Sequence, residues 1–180
     1  MAGDTPRQAV TNYVRPLQDA LACVTTAVIE RQGQYDLNQL YGLTLNGGEP
    51  VFIRRASAPG RVGIRIGQQY RIVEAQGERG PYKVETRAYM YSVEDEAGHE
   101  VFGYHWNPTS RVRTPHLHLE HGAQIGCAEI QAAHFPTGRI SMEQFLRLVI
   151  DVYRLRTRRS DWRSALRQSD EVFRRWQTWR

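Results

Sequence analysis

Two histidines one residue apart, with a glutamate at the same spacing, stand in Pro115-His-Leu-His-Leu-Glu-His121. In an extended strand, residues two apart share a face. His116, His118 and Glu120 then project together, with Leu117 and Leu119 turned toward a core. Two imidazoles and a carboxylate on one face suit proton transfer near neutral pH or a divalent ion. His105, in Tyr104-His-Trp-Asn-Pro108, lies close upstream. The same alternation also suits a solvated strand face. His121 beside Gly122 reads as turn, and His99 follows a hairpin glycine.

Acid–base cleavage of RNA by its own 2′-hydroxyl needs a base, an acid and cationic stabilisation of the phosphorane. His116 and His118 supply the proton roles in this reading, with His105 from an adjacent strand. Arg111 and Arg113 precede the motif, and Arg87 and Lys83 lie on a neighbouring long strand. Simple alternation puts Tyr89 and Tyr91 on the face of Lys83 and Arg87, where bases could stack. This chemistry requires no cofactor. In the alternative, a divalent metal such as zinc or manganese takes His116 and His118 as ligands, with Glu120 or His105 as the third. The spacing departs from the cupin pattern, which places its acid and second histidine further on.

His134-Phe-Pro-Thr-Gly-Arg-Ile-Ser141 leads into a helix start. Thr137, Arg139 and free backbone N–H groups there would suit a phosphate. It also reads as an ordinary loop and cap.

The positioning elements follow from periodicity. Residues 5–31 carry Val10, Tyr13, Val14, Leu17, Leu21, Val24 and Val28 three or four apart, the pattern of an amphipathic helix, with Pro16 a kink and Gly33 the stop. Candidate strands are 51–55, 62–66, 70–75, 82–93, 100–106 and 116–120, with 127–135 a further one. Turn signals at 46–50, 57–60, 76–81 and 94–98 separate them, and the last makes a hairpin. Ser141-Met-Glu-Gln144 is a capping-box start. Ser160 caps a last helix, with Asp161 in its first turn and Trp162, Leu166, Ser169, Phe173 and Trp176 as its stripe. The fold class is α+β: a curved, mainly antiparallel sheet of about six strands, an N-terminal helix and two C-terminal helices. One domain spans 1–180, with a helical segment at 1–31, the sheet at 50–135 and C-terminal helices at 141–180.

No apolar run approaches a membrane span, and the first residues lack the basic-then-apolar pattern of a signal peptide. Two cysteines, Cys23 and Cys127, form no CxxC pair, so reduced thiols in a cytoplasmic protein are expected. The net charge is +5. From Arg154 to the end, nine arginines face three acids, a surplus of six, so the remainder is near neutral at minus one. An arginine-rich, aromatic terminal helix suits nucleic acid or a protein partner.

Tyr104-His-Trp-Asn-Pro108, Pro115-His-Leu-His-Leu119 and Pro136-Thr-Gly-Arg-Ile-Ser141 resemble a group of small bacterial proteins, and the arrangement resembles TumE-type toxins of toxin–antitoxin pairs. The resemblance spans roughly residues 82–155. It implies a small α+β protein acting on RNA and held by an antitoxin, with His116 and His118 as the positions carried over. The expected function is a toxin-like ribonuclease using a histidine pair. The alternatives are an interaction subunit, such as an antitoxin, immunity or defence-complex protein, that binds through its C-terminal helix, and a metal-dependent enzyme with a His-x-His site.

Overall fold

A computed structural model describes residues 2–76 and 80–176. Helix α1 (Pro6–Leu21) starts where Thr5 accepts a hydrogen bond from the Gln8 N–H, with proline at its first position. It ends ten residues earlier than the apolar spacing implies. Val24 and Val28 continue the spacing, but they and the intervening Thr25 and Thr26 are β-branched, which favours extended backbone. Pro16 sits inside the helix without ending it.

Among the described residues nine strands make one sheet: β1 (Ala2–Gly3), β2 (Ile29–Arg31), β3 (Leu40–Leu45), β4 (Val51–Arg54), β5 (Arg61–Glu74), β6 (Tyr82–Glu94), β7 (Glu100–Trp106), β8 (His116–Leu119) and β9 (Phe135–Pro136). The order is β2-β3-β5-β6-β7-β8-β9, with β1 on β6 and β4 on β5, and every strand pairing is antiparallel. The expected strands at 62–66 and 70–75 are one continuous β5. Segment 127–135 is not a strand but a single helical turn, α2 (Ala128–Gln131), before the two-residue β9. Of the turn expected at 76–81, residues 77–79 lie outside the described residues.

Helices α3 (Met142–Tyr153) and α4 (Trp162–Trp176) pack with α1 on one face of the sheet, where Tyr91 meets Phe145 at 5.6 Å between ring centroids. One hydrophobic core joins α1, α3, α4 and that face. The capping box of α3 is closed: Ser141 Oγ accepts from Gln144 N–H, and the Gln144 side chain accepts from Ser141 N–H. The Ile140 N–H donates to Tyr89. These N–H groups are therefore engaged, and the anion site expected at 134–141 is not formed by them. Helix α4 starts one residue later than expected, with the Asp161 carbonyl accepting from Ala165. Trp162, Leu166, Ser169 and Phe173 are buried, so this stripe packs within the molecule rather than awaiting a partner. The side chain of Trp176 lies outside the described part. Among the described residues no helix is long and apolar enough to cross a membrane.

Two one-residue bulges set which side chains face where. Gln69 pairs with Ala88 but Tyr70 with Thr86, leaving Arg87 as the extra residue of β6. Val93 pairs with Phe102 but Glu94 with Glu100, leaving Val101 as the extra residue of β7. Each bulge reverses the alternation beyond it. Tyr89 and Tyr91 consequently face the helices, stacked on each other at 4.8 Å, while Lys83 lies on the opposite face. Tyr91 is 1% exposed and accepts a hydrogen bond from Gln68, so it offers no stacking surface for a base.

Under the helices, Glu143 is 2% exposed and accepts a 2.6 Å hydrogen bond from Ser169. Burial raises its carboxyl above the usual range. The fold thus holds this proton more tightly than the open chain does, and stability falls as pH rises above the ordinary carboxylate range. Glu143→Gln is expected to melt higher than the parent at pH 8, with the gap closing toward pH 4. A gap equal at both pH values in thermal melts would contradict this origin.

Candidate metal centre

The face of the sheet away from the helices carries the histidines. Met90 of β6, His105 of β7 and His116 of β8 lie in one cross-strand row; Ser92, Gly103 and His118 form the next. Leu117 and Leu119 pair with Tyr104 and Phe102 on the helix side and are half-buried. The chain after β8 closes over the polar side. Gly122 lies so near β7 that a Cβ there would sit 2.7 Å from the Glu100 carbonyl oxygen. His116 and His118 are consequently buried, at 5% and 8% exposure.

His105 and His118 meet edge to face at 4.2 Å between centroids, with His118 Nε2 3.0 Å from His105 Nδ1 and 3.3 Å from its Nε2. The Glu100 carboxylate reaches to 3.6 Å from His118 Nε2. Glu100, His105 and His118 offer three donor atoms within 4.8 Å of one another. Two imidazole nitrogens bound to a tetrahedral zinc at the usual bond length stand about 3.3–3.4 Å apart. Gly103 makes the convergence possible: a Cβ there would lie 2.5 Å from Glu100 Oε1, 3.0 Å from His105 Nε2 and 3.2 Å from His118 Nε2. Glu100 Oε1 is buried without a hydrogen-bond partner, as are Glu94 Oε2 and Ser92 Oγ in the same neighbourhood.

The far nitrogens are held from behind. His118 Nδ1 donates to Glu120 at 3.0 Å, and His116 Nδ1 donates to the Thr114 carbonyl at 2.8 Å. Each contact puts the ring proton on Nδ1 and leaves Nε2 with its lone pair, as in metal-binding histidines backed by a carboxylate or carbonyl. The grouping therefore differs from the one alternation suggests, His116, His118 and Glu120. Glu120 backs His118, and Glu100 with His105 completes the cluster.

Burial, and then the charge of the neighbouring histidines, brings His105 down to about 4. Burial also lowers His118 against the upward pull of Glu120. Burial, then the Glu120 charge, pushes Glu100 up to about 6. Unprotonated imidazoles are what a metal needs, and they leave neither ring as an acid at neutral pH.

His134, at the start of the loop that leads into α3, joins the cluster, its ring 4.7 Å from His116 and 5.9 Å from His118. Arg111 lines a groove of about 640 Å³ that runs up to His105, His116 and His134. Arg113 is exposed and does not line it. Arg87 contacts Glu85 at 3.3 Å, and Glu85 also binds Arg71 at 2.7 Å. Arg139 stacks over Trp106 at 3.5 Å. Lys83 is seven residues along β6 from Met90, the partner of His105, which is about 23 Å of strand and too far to share a substrate atom. No family model, curated protein or solved structure matches the chain.

In protein stripped of divalent ions, the His105 ring should stay neutral until the pH falls to about 4, followed by imidazole NMR. Since the open chain protonates a histidine near 6.5, this ring makes the fold lose stability as pH falls through that interval. A His105 that titrates near 6.5 would contradict the burial.

Proposed function

We propose that this chain is a metal-dependent hydrolase, with Glu100, His105 and His118 as ligands of one divalent ion. The observation that carries the reading is the convergence of these three donors around the space left by Gly103. Two histidines and one carboxylate form the ligand set of a catalytic zinc site, and such a set leaves a position open for reaction. An ion held there supplies a Lewis acid and a water that ionises near neutral pH. The remaining roles belong to the chain. Glu120 fixes the His118 ring. Arg111 draws an anionic ester into the groove. His116, held by the Thr114 carbonyl, keeps an Nε2 lone pair that can take a proton from the attacking water, and that proton leaves with the departing oxygen as the ester bond breaks.

A second reading rests on the His116–His134 contact beside Arg111. The two rings would act as base and acid on RNA without a metal, the 2′-hydroxyl attacking phosphorus and the 5′-oxygen leaving with a proton. This is the toxin-like ribonuclease activity that the resemblance implies, moved from the His116–His118 pair to His116 and His134. Binding through the aromatic stripe of α4, the interaction-subunit reading, has little support, because that stripe is buried in the core.

Calorimetric titration with zinc should show a single site. Glu100→Gln and His105→Ala should weaken it at least about tenfold, and Glu120→Gln by about 10–100-fold, the usual effect of losing an outer partner. Gly103→Ala should lose the site while keeping its circular dichroism. Zinc binding untouched by these changes would sink the metal reading. RNA cleavage that survives chelator but not His116→Ala would establish the second.

A further inference from the structure

The groove that ends at the histidines has a composition of its own. Its floor crosses the sheet along the row Thr44, Gly67, Met90, His105 and His116, four strand spacings or about 19 Å. Gly42 and Ala88 lie in the neighbouring row. A Cβ at Gly67 would meet nothing within 4 Å, and one at Gly42 only the Gln32 side chain at 3.6 Å. Peptide backbone therefore forms much of the floor. Met90 is 38% exposed in the middle of it, a polarizable apolar surface in a central strand. Gln32 and Gln69, both exposed, line the groove and offer donor and acceptor from one side chain. Arg111 adds the cation.

We infer that this groove binds a nucleotide unit, its base flat on the Gly67–Met90 floor and its phosphate between Arg111 and the histidine end. The inference rests on the hydrolase reading for what happens at phosphorus, but not for binding. A flat apolar floor suits the face of a ring, and amides at its side suit a ring edge that presents both donors and acceptors. An aliphatic ligand would make no use of the glutamines or of Arg111. A bare anion would make no use of the floor. A base lying in a recess has to be unstacked, so a single strand or a free nucleotide fits and a duplex does not.

Fluorescence anisotropy with a labelled single-stranded RNA octamer of mixed sequence, together with calorimetry using adenosine and uridine monophosphates, tests this on the full chain. Both run with zinc and with chelator, so failure of the metal reading leaves the groove still measured. Binding is expected in either form. An octamer bound at least about tenfold more tightly than the monophosphates identifies a strand as the source, and equal affinity identifies the free nucleotide. Gly67→Val places a strand-compatible side chain in open space. It should cut affinity at least about tenfold, with melting temperature and zinc stoichiometry unchanged. Arg111→Ala should weaken binding and lower the salt slope by about one. Should Gly67→Val fail to fold, Arg111→Glu, at an exposed position, reads the same loss. The inference is overturned if neither probe binds at millimolar concentration, if the folded variants bind as the parent does, or if a duplex of the octamer binds as tightly as the single strand.

Discussion

A strand can present only every second residue to one face, and two extra residues decide what this sheet presents. Arg87 interrupts the β5–β6 pairing and Val101 the β6–β7 pairing. Without the first, Tyr89 and Tyr91 would leave the core and Ala88 and Met90 would enter it. Without the second, Glu100 would turn away from His105 and His118. The apolar packing under the helices and the polar cluster opposite are therefore two results of the same backbone irregularities, which is why bulges so often accompany functional sites.

The cluster concentrates carboxylates where water is scarce. Glu94 is 4% exposed and Glu100 is half-buried, while Glu120, across His118, keeps 44% of its side chain in solvent. Arg65 is the cation that faces them, 2.7 Å from Glu94 Oε1. One guanidinium against Glu94 and Glu100 leaves an excess of negative charge, and burial first, then the charge of Glu120, displaces Glu100 upward. A buried excess of this sign is stabilised by protonation or by a cation. The core on the other face solves a smaller problem of the same kind. Tyr13 donates to Gln68, Gln68 donates to Tyr91, and Thr86 donates to Tyr13, so these four polar groups find partners in one another.

Much of this was legible in the residues. The α+β class, the 94–98 hairpin, the capping box at Ser141 and the approach of His105, His116 and His118 all follow from period and turn chemistry. Glu100 was hidden because it lies five residues from His105, an odd separation that alternation assigns to opposite faces. Alternation puts Tyr91 on the wrong face for the corresponding reason at Arg87. Nothing in the composition around either position marks an inserted residue, since both fit a regular strand. His134 was hidden by distance along the chain, its place depending on a two-residue strand. Periodicity overstates the length of α1, because β-branched residues continue its spacing beyond its end.

Arg65 has a mechanical aspect besides its charge. Its Nε holds Glu94, while Nη1 donates to the Gly48 carbonyl in the 46–48 turn between β3 and β4. One rigid planar group thus spans from an outer corner of the sheet to the acidic side of the cluster. Two hydrogen bonds through this one side chain link the turn to Glu94, the cross-strand partner of Glu100, so a residue beside the cluster is tied to a turn far from it in sequence.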